Sequence, residues 1–354
     1  MQGRRLRALV LAAGLGTRLR PLTDHVPKPL LPVTGVPILG YTLAQLAALG
    51  CEDVAINLHY LGDQIRQRFG PSYSGMRITY SEEPVLLGTL GAFGPLRDFF
   101  APAERVLLIN GDSLCEWPLR RLVRHHLASG AQATLLLASR PAPAVFGGGV
   151  GIDHRGRILF FRSADRTSVE PAHRYVFAGA HVIAPELLER IPAGASPTDI
   201  VRDLYIPLLA EPGVILDSVL TGRRWHDLGT PQRFLDGVID WARAGWPGRL
   251  WRRSWISPEA EIGSGAAVRS AAVEAGARVG EGAQVERSVL LPGARVGKGC
   301  VVRDSIVGSG AAVSPGTWVE RRMIMPQRDG FAPGLDDSIV GGAVFTPFGS
   351  ASLG

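Results

Sequence analysis

The chain has 354 residues, of which 46% are hydrophobic and 20% charged, and its formal net charge is +6. This composition allows two folded domains and excludes an intrinsically disordered chain. No apolar run approaches the ~18 residues that a membrane-spanning helix needs, so we expect no membrane partner. The basic residues are spread along the chain without a stripe of interleaved aromatic residues, which argues against a nucleic-acid partner.

The first part of the chain alternates short apolar runs with amphipathic segments. Strands are predicted for RALVLAAG, DVAINL, MRITYS, RVLLINGD and ATLLLAS, and helices for the segments between them, including GTLGAFGPLRDFF. This alternation predicts an α/β fold with a Rossmann-like mixed, mostly parallel sheet and helices on both faces. From about residue 145 to 230 the pattern loosens into hairpin-like pieces, which suggests an insertion or cap over the sheet. The pattern PQRFLDGVIDWARAG at residues 231–245 predicts a closing helix.

The last third of the chain carries an aliphatic residue at every fifth or sixth position, with a period of 17 residues. These positions are 256, 262, 268, 273, 279, 285, 290, 296, 302, 307, 313, 319 and 324. Gly and Ala fill many positions between them. Such spacing is typical of a hexapeptide parallel β-helix, in which each side of a triangular coil points one aliphatic side chain inward and the corners need small residues. We therefore predict an α/β domain at 1–245, a connector at 246–255, a β-helix at 256–325 and a tail at 326–354.

The N-terminal run MQGRRLRALVLAAGLG imitates a secretory signal. The basic TRLR that follows and the absence of a clean cleavage site argue against one. Three widely separated cysteines without metal-ligand spacing fit a reduced, cytoplasmic chain; they are Cys51, Cys115 and Cys300.

Two glycines after the first predicted strand mark the strongest motif, LAAGLGTRLRPLTDHVPKPLLPV. Gly14 and Gly16 let the backbone turn tightly and bring N–H groups toward a phosphate or a base. A dinucleotide-binding fingerprint is the alternative interpretation. It is disfavoured because Leu19 occupies the place of its third glycine and no acidic residue follows about twenty residues on.

Two cations follow these glycines. Arg18 is suited to clamp phosphate oxygens bidentately, and Lys28 supplies a compact charge on a segment stiffened by flanking prolines. Only two of the 38 basic residues are lysines, Lys28 and Lys298. A lysine inside such a motif is therefore interpreted as functional.

The motif resembles the signature G-x-G-T-R-x-x-P-x-T-x-x-x-P-K-P-L-x-P of sugar-1-phosphate nucleotidyltransferases. Three further stretches resemble motifs of that family in the same order, namely LLGTLGAF, INGDSL and WHDLGTP. An α/β sheet followed by a left-handed β-helix is also the domain order of several members, including mannose-1-phosphate guanylyltransferases. The resemblance covers most of residues 5–240.

The resemblance implies transfer of a nucleotidyl group from a nucleoside triphosphate to a sugar 1-phosphate, with Mg²⁺ as cofactor. Two anions must be brought together, so positioning and charge neutralisation dominate such a reaction. Arg18 would hold the leaving pyrophosphate, Lys28 would neutralise the reacting phosphates, and Asp112 and Asp227 would bind the metal. The implied nucleotide-binding positions are Leu11, Ala12, Ala13, Gly14, Gly16, Thr17, Glu83, Gly88, Thr89 and Gly111. Gly148 and Gly179 match glycines of the sugar pocket.

One expected group is missing. The family usually carries a Glu-Lys-Pro segment whose lysine binds the sugar phosphate, whereas this sequence reads RILFFRSADRTSVEP there. Arg162 is the nearest replacement, with Arg166 and Arg174 behind it. The hypothesis is that one of these arginines binds the sugar phosphate.

The loop EEPVLLGTLGAF and the β-helix together favour GTP and mannose 1-phosphate as substrates, giving GDP-mannose. Uridylyl or thymidylyl transfer to glucose, N-acetylmuramate or heptose 1-phosphate stays open, as does a non-catalytic paralogue that senses nucleotide sugars. All eight histidines precede the repeats, so no histidine base for acyl transfer is expected in the β-helix. Its expected role is homo-oligomerisation or regulation.

Overall fold

Apolar runs before the repeats form strands, and the segments between them form helices and turns. The computed structural model describes residues 6–161, 171–191, 197–244, 254–328, 334 and 336–348. The strands before the repeats are β1 (Leu6–Leu11), β2 (Pro32–Val33), β3 (Val36–Pro37), β4 (Asp53–Leu58), β5 (Ser72–Tyr73), β6 (Met76–Glu82), β7 (Arg105–Asn110), β8 (Ser113–Cys115), β9 (Ala133–Ala138), β10 (Val150–Ile152), β11 (Ile158–Phe161), β12 (His173–Ile183), β13 (Leu216–Thr221) and β14 (Trp225–Asp227).

The described α-helices range from 4 to 14 residues. They are α1 (Ile38–Leu49), α2 (Gly62–Phe69), α3 (Gly88–Gly91), α4 (Arg97–Phe100), α5 (Leu119–Ser129), α6 (Ile206–Leu209) and α7 (Pro231–Ala244). Short 3₁₀ helices lie at Thr17–Leu19, Lys28–Leu30, Gly94–Leu96, Pro143–Phe146 and Pro185–Arg190, and a short π-helix lies at Val201–Tyr205. Among the described residues, no helix is both long enough and apolar enough to cross a membrane.

A ten-stranded mixed sheet forms the core of the N-terminal part, in the order β11-β10-β12-β7-β1-β4-β6-β5, with β9 pairing both β12 and β13. Its centre is parallel, because β1 lies between β4 and β7 in parallel register and β6 continues on β4. The middle positions of the central strands β1, β4 and β7 are mostly buried and apolar, as expected for strands covered on both faces. The predicted α/β fold is confirmed.

Two details differ from the prediction. Residues 145–230 are not a separate cap over the sheet, because β10, β11, β12 and β13 are strands of the sheet itself. The helix expected at 88–100 is divided into α3, a 3₁₀ turn and α4. Gly88 has φ +76° and its loop is hydrogen-bonded to residue 198, so distant backbone contacts override the local helical pattern there.

The repeats form a parallel β-helix of three sheets. Its strands are β15 (Trp255–Ile256), β16 (Glu261–Ile262), β17 (Ala267–Arg269), β18 (Ala272–Val273), β19 (Arg278–Val279), β20 (Gln284–Glu286), β21 (Val289–Leu290), β22 (Arg295–Val296), β23 (Val301–Arg303), β24 (Ile306–Val307), β25 (Ala312–Val313), β26 (Trp318–Glu320) and β27 (Arg322–Pro326). Each residue pairs with the one 17 positions later, as in Ile256 with Val273 and Val268 with Val285. The predicted β-helix and its period are confirmed.

Glycines stack at one corner of successive coils. At Gly263, Gly280 and Gly297 an added Cβ would lie 2.6 Å from backbone nitrogen of the next coil. The 17-residue spacing of these glycines therefore follows from the close approach of consecutive turns.

Two strands follow the last coil, β28 (Ser338–Val340) and β29 (Ala343–Pro347). β29 pairs antiparallel with β27, and Ala343 and Phe345 pack into the apolar interior of the β-helix. The sequence pattern gave no sign of these strands, because they do not follow the repeat. They close the end of the coil stack.

The chain divides into two compact units. One consists of Met1–Gly14 and Leu39–Trp225, and the other of Leu15–Ile38 and His226–Gly354. The segment 15–38, which carries most of the N-terminal signature, therefore belongs to the same unit as α7 and the β-helix. The boundaries proposed from sequence at 245, 255 and 325 stay a prediction.

Candidate active site

The carboxyl end of β7 presents Asp112 within the first unit. The amide of Gly111 donates a hydrogen bond to the carbonyl of Leu11 (2.9 Å) at the end of the neighbouring β1. A Cβ on Gly111 would lie 2.8 Å from the Val10 side chain, so only glycine fits this close approach. Asp112 is half-buried beside β8. Ligands of open α/β sheets bind beyond the carboxyl ends of the strands, which is where Leu11, Gly111 and Asp112 lie.

Glu83 ties two loops of this unit together. Its Oε1 accepts a hydrogen bond from Asn57 Nδ2 (2.8 Å), and its Oε2 accepts one from the Leu87 amide (2.9 Å). Asn57 Oδ1 in turn accepts a hydrogen bond from the Ala12 amide (2.8 Å). Glu83 is only 2% exposed. These contacts support a role in positioning the loops after β1 and before α3, while direct contact of Glu83 with a nucleotide stays a prediction.

The loop that contains Gly88 and Thr89 is fixed to the segment before residue 201. A Cβ on Gly88 would lie 2.4 Å from the Thr198 carbonyl oxygen, so no side chain fits there. Thr89 Oγ1 donates to Asp199 Oδ2 (3.2 Å) and accepts from the Ile200 amide (2.8 Å). The Thr89 hydroxyl thus has protein partners on both sides, which connect this loop to residues 198–200.

The two candidate sugar-pocket glycines are connected through Trp225. The Phe146 ring, in the turn before Gly148, lies edge-on against the Trp225 ring with centroids 5.3 Å apart. Trp225 Nε1 donates to the carbonyl of residue 178 (2.7 Å), next to Gly179. A Cβ on Gly179 would lie 2.7 Å from Asn110 Nδ2. The structure therefore brings Gly179 to the end of β7, beside the residues that precede Asp112.

Two buried titratable side chains, His181 and Cys115, pack within this region but do not supply a reactive group. Burial lowers the pKa of His181, on β12, to about 3, so the ring is neutral, and its Nδ1 lies 2.6 Å from the Tyr205 hydroxyl. Burial raises the pKa of Cys115 well above its usual value, so this thiol is not a nucleophile.

Of the three arginines proposed to bind the sugar phosphate, Arg162 and Arg166 lie outside the described residues. Arg174 stacks on the Phe160 ring, with its guanidinium carbon 5.0 Å from the ring centroid.

In the second unit, the signature segment begins with a tight turn. Gly16 has φ +64°, and its carbonyl accepts a hydrogen bond from the fully buried Thr23 hydroxyl (2.9 Å). The single helical turn Thr17–Leu19 follows, with Leu19 buried and Thr17 and Arg18 exposed. The glycine and the buried threonine therefore orient the Arg18 side chain outward. Gly14, in the first unit, is exposed and has no neighbouring atom that a Cβ would meet.

Lys28 and Asp227 lie together in this unit. Lys28 is 5% exposed, and its Nζ is 3.9 Å from Asp227 Oδ1. Arg233, in the first turn of α7, donates from Nη1 to Asp227 Oδ2 (2.8 Å). Arg18 belongs to the same group, because its Nη2 and Asp227 Oδ1 lie 2.9 Å and 2.7 Å from the position of a Cβ on Gly229. Three cations around one carboxylate leave a local positive charge that suits a polyphosphate.

These features match a known family. Residues 7–242 match the family described as Nucleotidyl transferase, and residues 251–345 match the GMPPB C-terminal domain. The chain belongs to the nucleotidyl transferase family. It is a nucleotidyltransferase, as the sequence motifs predict.

Curated relatives carry a narrower name. The chain is 33% identical over 284 residues to mannose-1-phosphate guanylyltransferase of Mycobacterium tuberculosis, a match that covers 78% of this chain and 76% of the relative. It is 31% identical to the catalytic subunit beta of the enzyme with that name from Drosophila pseudoobscura pseudoobscura, over 80% of this chain and 73% of the relative. For the corresponding subunit of Dictyostelium discoideum the identity is 30%, over 66% of this chain and 64% of the relative.

Arg233 of this nucleotidyltransferase is a site residue that the sequence motifs did not predict. Thr230 caps α7, since its carbonyl accepts the Phe234 amide (2.8 Å) and its hydroxyl accepts the Arg233 amide (3.3 Å). A helix N-terminus carries partial positive charge and favours acidic residues, so an arginine in the first turn is unfavourable there. This unfavourable position of Arg233 was the feature of the sequence that could have indicated a carboxylate partner.

Gly229→Ala is expected to lower kcat/KM for nucleotidyl transfer about 30-fold, which is within the roughly 100-fold that a displacement of 1 Å can cost. The new Cβ would displace the ends of the Asp227 and Arg18 side chains, which can move without disturbing the backbone. We therefore expect an unchanged melting temperature. Gly222→Ala is the control, because its Cβ would make only an ordinary 3.7 Å contact. Equal activities of the two variants would contradict a role for this arrangement.

Proposed function

We propose that this nucleotidyltransferase transfers the guanylyl group of GTP to mannose 1-phosphate, giving GDP-mannose and pyrophosphate, with Mg²⁺ as the cofactor. The observation that carries the proposal is the cluster of Lys28, Arg18 and Arg233 around Asp227, within a chain whose relatives are named mannose-1-phosphate guanylyltransferases. Base and sugar identity rest on those names and on the loop around Gly88.

The proposed site residues would have different roles in this reaction. An oxygen of the sugar phosphate attacks the α-phosphorus of the nucleotide, and the bond to the β-phosphate oxygen breaks in line. Lys28 would neutralise the phosphates that approach each other, and Arg18 would bind the β- and γ-phosphates that leave. Arg233 would orient the Asp227 carboxylate through its hydrogen bond to Oδ2. Gly16, Thr17 and the backbone at 11–14 would contact the nucleotide.

The two proposed metal ligands are both carboxylates. Asp112 and Asp227 offer oxygen ligands, which Mg²⁺ prefers, and substrate phosphates and water would complete its coordination. Among the described residues there is no cluster of three or more His, Cys, Asp and Glu side chains suited to a metal. Two protein carboxylates are the usual complement where the metal is shared with a phosphate substrate. When bound, Mg²⁺ would neutralise phosphate charge during the transfer.

Release of pyrophosphate from GTP, UTP, dTTP and ATP, each paired with mannose, glucose, N-acetylmuramate and heptose 1-phosphates, tests the substrates. We expect the highest kcat/KM for GTP with mannose 1-phosphate, and no turnover in EDTA. A higher value for UTP or dTTP would assign the alternative activity. Tight binding of a nucleotide sugar without any turnover would instead indicate a regulatory paralogue.

Two further proposals accompany this activity. Arg162 is the proposed ligand of the sugar phosphate in place of the missing lysine, and Gly148 and Gly179 would line the sugar pocket. The β-helix would assemble copies of the chain, which light scattering of the purified protein measures.

A further inference from the structure

The hairpin β2–β3 follows the turn that contains Lys28, and it contacts the β-helix. The turn Lys28–Leu30 ends at Leu31, whose amide donates to the Lys28 carbonyl (3.1 Å) and whose carbonyl accepts the Ile38 amide (3.1 Å). Leu31 therefore joins the lysine to the base of the hairpin. A shift of the hairpin would be transmitted to Lys28 through this residue.

The tip of the hairpin adopts a left-handed conformation. Thr34 has φ 50° and Gly35 has φ 82°, the pattern of a type I′ turn. The conformation is unfavourable for threonine, and such a residue persists where the surroundings hold it. Those surroundings come from the β-helix, since the Trp255 ring lies 3.3 Å from the position of a Cβ on Gly35.

Glu274 supplies the polar contact at this tip. The Gly35 amide donates to Glu274 Oε2 (2.9 Å), across 239 positions in sequence. Glu274 is 1% exposed, and burial raises the pKa of its carboxyl to about 7. Burying a carboxylate is costly unless it has hydrogen-bond partners, so solubility does not explain a glutamate at this position.

Glu274 differs in character from the residues at the same repeat position of the other coils. The β-helix pairing places Ser257, Leu291, Gly308 and Met325 at the equivalent position of the other turns, following the same inward aliphatic residue. None of these four residues is charged. The acidic side chain therefore belongs to the contact with the hairpin and not to the construction of the β-helix.

We propose that Glu274 is a positioning residue that fixes the β2–β3 hairpin and thereby the location of Lys28 for nucleotidyl transfer. The proposal rests on the function proposed above for Lys28. It gives the β-helix a direct part in building the phosphate-binding end of the signature segment, in addition to any role in assembly.

Three single variants of the full-length enzyme test this proposal. Glu274→Ala removes the acceptor, Glu274→Gln keeps an oxygen acceptor without the charge, and Glu281→Ala removes an exposed glutamate of the β-helix that pairs with Lys298. We expect Glu274→Ala to lower kcat about tenfold with little change in KM, since Lys28 acts on the transition state. Glu274→Gln should restore most of kcat, and Glu281→Ala should match the wild type.

A double-mutant cycle separates positioning from general destabilisation. In a Lys28→Ala background, Glu274→Ala should cause no further loss of kcat, because the lysine through which it acts is absent. A further tenfold loss in that background, or wild-type kcat for Glu274→Ala alone, would overturn the proposal.

Hydrogen–deuterium exchange provides a readout that does not depend on activity. Peptides covering residues 30–38 should exchange on the order of tenfold faster in Glu274→Ala than in Glu274→Gln, with the rest of the β-helix unchanged. Equal exchange in the two variants would overturn the proposal even if the enzyme is active. Faster exchange in an enzyme without turnover on any substrate pair would refute only the proposed function.

Discussion

Lys28→Ala should lower kcat for pyrophosphate release about 1,000-fold, the loss expected when a preorganised charge is removed from a phosphoryl transition state. The Lys28 ammonium is buried and lies 3.9 Å from Asp227, which keeps Arg233 as a partner in the variant. The protein should therefore remain folded. Lys28→Arg should not restore activity, because a planar guanidinium does not replace a compact charge in a buried position.

The composition provides a matched control for this substitution. Lys298 is the other lysine of the chain, and its side chain is 69% exposed and paired with Glu281 at 2.9 Å. Lys298→Ala should have wild-type kcat. If Lys28→Ala keeps kcat within about threefold of the wild type, the lysine does not act on the phosphates.

Asp112→Asn should lower kcat/KM about 1,000-fold and raise the Mg²⁺ concentration needed for half-maximal activity, because an amide is a weaker ligand than a carboxylate. Gly111 holds the backbone of this position against β1, so the substitution changes the charge without moving the chain. Titrating Mg²⁺ at saturating substrates measures the effect.

Asp63→Asn is the control for this second substitution, since Asp63 lies exposed in the first turn of α2. An unchanged Mg²⁺ dependence in Asp112→Asn, with reduced kcat, would remove Asp112 from the metal site and leave it a structural role at the end of β7.

The β-helix could be predicted almost residue by residue. Its constraint is local and repeated, because each coil lies on the previous one and every inward position recurs after 17 residues. The strands of the central sheet were also predictable, since buried parallel strands are continuous apolar runs. The closing strand β29 was not, because its pairing with β27 leaves no period in the sequence.

The site was predictable only in part. Gly16, Arg18, Lys28, Asp112 and Asp227 stand in recognisable motifs, and the structure joins Lys28 to Asp227. The contacts that hold them were not visible in the motifs. Glu83 is fixed through Asn57, and Glu274 reaches Gly35 across 239 positions, so neither partner can be inferred from local spacing.

The grouping of Leu15–Ile38 with His226–Gly354 also determines when the signature segment can fold during synthesis. At about 5–20 residues per second, the ribosome needs on the order of 10–40 s to pass from residue 38 to the start of α7. During that interval the segment 15–38 has been synthesised, but α7 and the β-helix coils against which it packs have not. Lys28 therefore acquires its surroundings, which include Asp227, only after residues 226 and beyond have been synthesised. A chain released before that point has strands of the sheet but lacks the part of the chain against which the signature segment packs.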